Sequence, residues 1–260
     1  MNRSTQNRIE EIKKNGYILD FAKVFNHAFE NYKKIALYGG LVIFVFFFLL
    51  ILVTSGVLIS VFGAPALLEM VKPENLKPEE LGMTTLLILS GASVLLGSIL
   101  SPLMAGLIKM AYCAENDEEF HVSTMFEFYK LPYFKELFIA TFLINITNSL
   151  ISGLLNYAQI PALELIVSLT ISLFSILAIP LIIFGNLKAI EAIQSSLMIV
   201  SKQPLVILGL LIVGGISSFV GFIGCCIGIF FTLPFIYSLY YAIYSEIIGF
   251  EIEIKTEGRF

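Results

Sequence analysis

What most limits the fold of this chain is a succession of apolar runs, each about as long as a bilayer is thick. They lie at 35–63, 83–108, 137–158, 162–185, 205–222 and 224–246. A helix rises about 1.5 Å per residue, so about 20 such residues cross a hydrocarbon core of about 30 Å. The last two runs are nearly continuous. As one straight helix they would be about twice as long as the core is thick, so Gly221 to Gly224 predicts a tight hairpin. None of the runs alternates apolar with polar residues, as barrel strands must. Composition excludes a watery home as well: 57% of the 260 residues are hydrophobic and 14% charged, against roughly 45–50% and about 25% in soluble domains. A secreted disulfide scaffold, a nucleic-acid binder and a soluble enzyme are thereby set aside.

The cations set the expected orientation. Of sixteen Lys and Arg residues, all but Lys72 and Lys77 fall on the side of the N-terminus. The positive-inside rule then places both termini in the cytoplasm. The expected organisation is a cytoplasmic N-terminus with an interfacial helix over 1–34, a six-span membrane domain over 35–246, and a cytoplasmic tail over 247–260. The first 34 residues are too polar for a cleaved signal peptide.

Three short amphipathic segments precede the odd-numbered spans. In 18–34, Ile18, Phe21, Ala22, Phe25, Phe29 and Tyr32 recur at helical steps. In 186–202, Ile190, Ile193, Leu197 and Val200 do the same. The segment 123–134 opens with Thr124 and Glu127 at capping-box spacing and is shortened by Pro132. Each is expected to lie at the cytoplasmic interface with its apolar face down. Pro102, Pro180 and Pro234 fall in spans two, four and six, where each frees the carbonyl four residues back, at Ser98, Ile176 and Phe230. The predicted fold is therefore an all-α membrane protein. Its six transmembrane helices form three hairpins, each preceded by a cytoplasmic amphipathic helix, related by a pseudo-threefold repeat.

The residues Ala189-Ile190-Glu191-Ala192-Ile193-Gln194-Ser195-Ser196, Lys202-Gln203-Pro204, Gly224-Cys225-Cys226-Ile227-Gly228, Thr232-Leu233-Pro234 and Tyr244 resemble a family signature. It closes a large, mostly bacterial group of six-helix integral membrane proteins of unknown function. That group is similar to the membrane domain of glycerophosphodiester phosphodiesterases. The resemblance implies the six-helix fold and a bacterial cytoplasmic membrane. It implies no activity, because the phosphodiesterase barrel is absent. Some members carry a carotenoid-oxygenase label, and such enzymes hold iron with four His where this chain has two.

Polar groups within spans are the usual pointers to function. Asn145, Asn148, Asn156 and Gln159 make span three the richest in amides, either lining a polar path or bonding between helices. Tyr237, Tyr240, Tyr241 and Tyr244 form either an aromatic mouth to a cavity or an interfacial belt. Ser93, Gly97, Ser101 and Ala105 are spaced by four, as in a packing seam. Glu164, Lys109 and Glu246 read as side chains at membrane edges, and Glu115 to Glu119 as a solvated face. The paired Cys225 and Cys226 read as small buried residues. No catalytic set, metal-ligand cluster or phosphate loop is present, so no cofactor is expected. The expected role is a non-enzymatic multi-pass protein that binds membrane lipids, a membrane protein or a second copy, and no nucleic acid. The alternative is a permease or flippase-like conduit framed by Pro102, Pro180, Pro234, Asn145, Asn148, Tyr237 and Tyr241.

Overall fold

A computed structural model describes residues 3–65, 68, 72, 83–223 and 227–250. Among these, regular structure is helical. The elements are α1 (Arg3–Asn15), α2 (Phe21–Phe62), α3 (Met83–Glu115), α4 (Val122–Met125), α5 (Tyr133–Tyr157), α6 (Pro161–Ser175), α7 (Ala178–Ile183), α8 (Ala189–Val200), α9 (Pro204–Ile223) and α10 (Gly228–Ile247). A 3-10 turn covers Glu127–Tyr129. Six helices are long and apolar enough to cross a membrane, with α6 and α7 together making one of them. The chain is thus a multi-pass integral membrane protein. Cys225, Cys226 and the tail beyond Phe250 lie outside the described residues, as does most of 64–82.

The amphipathic segment 18–34 and the run 35–63 are not two helices. Asp20 caps α2 by accepting from Lys23 N at 2.8 Å, Gly63 closes it at φ +81°, and the 42 residues between run without interruption. No proline stands between Phe21 and Phe62 to interrupt the helix. The segment 186–202 does hold a separate helix, α8. The segment 123–134 holds only α4 and the 3-10 turn.

The buried core lies at one end of the molecule, the collar end, which carries α1, α8 and the C-termini of α3 and α10. There α2 buries Val24, Ala28, Asn31, Ile35 and Ile43 along one stripe, mainly against α10. Gly40 makes the approach possible: a Cβ there would come 2.9 Å from Phe231 Cα. Gly106 of α3 serves likewise, since any Cβ would fall inside the backbone of Met125. A sequence of hydrogen bonds ties α1 and the linker after it to elements near the other end of the chain. Arg8 Nε donates to Ile247 O at 3.1 Å, and Tyr17 OH donates to Ile199 O at 3.1 Å. Gln203 holds the linker from both sides, donating to Tyr17 O at 2.7 Å and accepting from Leu19 N at 3.3 Å.

At the opposite, far end, packing gives out. From Ile51 to Ser60 every α2 residue except Ser55 is exposed, and on α3 every residue from Leu87 to Ser93. Helices apolar on all faces and uncovered by protein need hydrocarbon around them.

Candidate functional site

The three prolines are all buried, and neighbouring hydroxyls serve the backbone around two of them. Beside Pro102, Ser101 Oγ donates to Ser98 O, the freed carbonyl, at 2.8 Å, and Tyr129 OH donates to Ile99 O at 3.1 Å. At Pro180 the helix does more than kink. It breaks between Ser175 and Ala178, and Ser196 of α8 bridges the gap, donating to Phe174 O at 2.6 Å and accepting from Leu177 N at 3.2 Å. Beside Pro234, the freed carbonyl of Phe230 faces Gly40. Lower on α10, Ser238 Oγ donates to Ala28 O of α2 at 2.7 Å. Such side-chain donors replace the water that lipid excludes.

On α5, Asn145 faces α3 and Asn156 is exposed. A Cβ on Gly97 would come 3.1 Å from Asn145 Nδ2, so this glycine lets the two helices close up; of the same row Ser101 and Ala105 are buried and Ser93 is exposed. Asn148 Oδ1 is buried and lacks a hydrogen-bond partner. The tyrosines of α10 divide. Tyr237 and Tyr240 are half-buried and stack edge to face at 6.2 Å. Tyr241 and Tyr244 are each 1% exposed, so they belong to the core and not to a belt at the headgroups. With Tyr112, Phe184 and Phe250 they form an aromatic cluster whose ring centroids are 5.0–6.1 Å apart where they touch.

Above that cluster three helices meet at a charged junction that sequence reading overlooked. His27 of α2 places Nε2 at 2.7 Å from Glu115 Oε2 of α3 and Nδ1 at 3.4 Å from Glu246 Oε1 of α10. Lys23 Nζ reaches the other Glu246 oxygen at 2.6 Å, Asn31 Nδ2 donates to Glu115 at 3.5 Å, and the Tyr241 ring stands edge-on to the imidazole at 5.9 Å. A neutral imidazole donates from one nitrogen only, so both contacts are donor bonds in the imidazolium alone. That form balances two cations against two carboxylates. Lys34 extends the junction by donating to Ala114 O at 2.7 Å, where the C-terminus of α3 favours a positive charge, and to Asp117 at 2.9 Å. The residues are 88 and more positions apart in the chain along the contacts His27–Glu115 and His27–Glu246. No local spacing could have paired them.

Two cavities lie at this end. One of about 70 Å³ is lined by Phe25, Phe29, Tyr32, Phe235, Ser217 and Thr232. Another, of about 190 Å³, separates α1 from α8. Among the described residues no group of three or more His, Cys, Asp or Glu could hold a metal ion. No family model matches the chain, and no curated protein or solved structure matches it either.

Proposed function

We propose that this is a non-enzymatic membrane protein that binds lipid along its far half, with both termini in the cytoplasm of a bacterial cell, as in the six-helix group it resembles. The observation that carries the reading is the contrast within α2 and α3, whose collar halves are packed and whose far halves present apolar side chains on every face. The charged junction and the aromatic cluster fix the collar end as a rigid base, and the exposed helices offer the surface on which acyl chains lie.

A threefold reading is supported by recurring contacts. Each amphipathic segment meets the proline-bearing helix of another hairpin: Ala28 with Ser238, Met125 with Gly106, and Ser196 with Leu177. The conduit reading draws on Asn148 Oδ1 alone, a buried acceptor without a partner in a span. Against it stand the burial of all three prolines and the small volume beside Phe235.

Gentle extraction from native membranes followed by mass spectrometry tests the proposal. A defined set of phospholipids should co-purify and be lost when Leu52, Val57 and Leu87 are replaced by Ser. Turnover of a lipid by the purified protein, at a rate set by one side chain, would overturn it. Cysteines introduced within 64–82 should label from outside the cell, and those beside Lys130 and Lys188 should not.

A further inference from the structure

The linker between α1 and α2 is tied down on both sides of one residue and leaves that residue bare. Gln203, just before α9, donates to Tyr17 O at 2.7 Å and accepts from Leu19 N at 3.3 Å, and Tyr17 OH donates to Ile199 O at 3.1 Å. Ile18 stands between the two backbone groups that Gln203 holds, yet it is 93% exposed. Two residues after Gln203, in the first turn of α9, Leu205 is 80% exposed. Phe21 completes the patch: it is exposed too, and a Cβ on Gly209, one turn beyond Leu205, would come 3.4 Å from its ring. Because α9 is one of the six helices apolar enough to cross a membrane, these three side chains stand where it enters the bilayer.

The charges beside the patch are a second, independent observation. Of the described cations on α1, α2 and the turn before α9, Arg8, Lys23, Lys33 and Lys34 each lie 2.6–2.9 Å from a carboxylate. Among the described residues Lys13, Lys14 and Lys202 have no such partner, and all three are exposed. Lys202 gathers them at one corner: its Nζ donates to Lys13 O at 3.1 Å, at the C-terminus of α1, which uses one of its three N–H donors. The nearby carboxylates turn elsewhere. Asp20 accepts from Lys23 N at 2.8 Å, Glu11 pairs with Arg8, and Glu10 lines the cavity between α1 and α8. Unpaired ammonium groups beside bare apolar side chains make a surface suited to an anionic amphiphile.

We infer that this corner binds an anionic phospholipid of the collar-side leaflet, its phosphate on Lys13, Lys14 and Lys202 and its acyl chains along Ile18, Phe21 and Leu205. The apolar half of the patch decides for a lipid over a free anion, because inorganic phosphate on the same lysines would leave Ile18 and Leu205 in water. The site is separate from the apolar surface of the far half. It reads headgroup charge, which acyl chains lying on α2 and α3 do not sense.

The full-length protein in a non-ionic detergent is titrated with phosphatidylglycerol and with phosphatidylcholine of the same acyl chains, and bound lipids are counted by native mass spectrometry. A Lys near an anionic headgroup contributes about fivefold to affinity, so three should make phosphatidylglycerol bind about a hundredfold tighter. The variant Lys13→Gln/Lys14→Gln/Lys202→Gln should bind the two lipids alike. Since Lys202→Gln also removes the bond to Lys13 O, a second variant, Lys14→Gln/Ile18→Ser, alters exposed side chains only. It should lose about fivefold or more in affinity for phosphatidylglycerol, with its lipid-free melting temperature unchanged. Replacing Leu52, Val57 and Leu87 by Ser should weaken both lipids equally and leave their ratio as it was, so this inference and the far-half reading fail separately. Equal affinity of the unaltered protein for the two lipids would overturn the inference, as would undiminished phosphatidylglycerol binding by the second variant. So would displacement of phosphatidylglycerol by inorganic phosphate at the same concentration, because the corner would then hold a free anion.

Discussion

The collar and far sides of the molecule differ in what holds them. On the collar side Val24, Ala28 and Ile35 of α2 are fully buried, Lys23 pairs with Glu246, His27 meets the Tyr241 ring, and Ser238 donates to Ala28 O. On the far side the same helix is more apolar and almost untouched. Hydropathy therefore reports where the chain meets lipid and says little about where it meets itself. In water the most apolar segment would be the core; here the core is the less apolar half, because lipid already satisfies the rest.

Identical substitutions on either side should break this comparison open. The largest effect is expected from Gly106→Ala, whose methyl would collide with the Met125 backbone; overpacking of this kind costs about 1–3 kcal/mol or more. Gly91→Ala, in the same helix but with nothing within 4 Å of the new Cβ, should leave stability unchanged or raise it by about 0.5–1 kcal/mol. Thermal unfolding in a mild detergent reads both, and a similar fall for the two would erase the distinction. Next in size is Ser196→Ala, which strands Phe174 O and Leu177 N at the α6–α7 break and should cost about 1–3 kcal/mol. Ser93→Ala, which removes only a bond to Ser90 O within an exposed turn, should be nearly silent. The smallest effect concerns Tyr17. Burial pushes its phenol from 10.0 up to about 12, so the folded state holds the proton more tightly than the unfolded chain. Its stabilising contribution is present below about pH 10 and is lost as pH rises toward about 12. Tyr17→Phe should flatten the fall in melting temperature across that window, and should cost about 0.5–1.5 kcal/mol at neutral pH through the bond to Ile199 O.

The six apolar helices were legible because each is written in consecutive residues: length and polarity suffice, and the bounds of 137–158 and α5 differ by a few positions only. Pro180 was legible as a disturbance. Its consequence was not, since whether a helix bends or breaks depends on a donor from elsewhere, here Ser196. The continuity of α2 was missed because amphipathic and wholly apolar stretches look like two elements when a change of solvent is taken for an end of helix. The site fared worst. Glu246 read as a side chain at a membrane edge and Glu115 as part of a solvated face, and nothing near His27 in sequence marks it as their common partner.

The bonds that lace the first helix and the linker after it, through Arg8, Lys13 and Tyr17, to Ile247, Lys202 and Ile199 also dictate an order of events. A ribosome makes α1 well before its binding partners on α8 and α10. This helix must therefore wait, undocked, while the long helices between it and its partners are threaded into the bilayer. A helix made before its partners can find its seat only after they have found theirs.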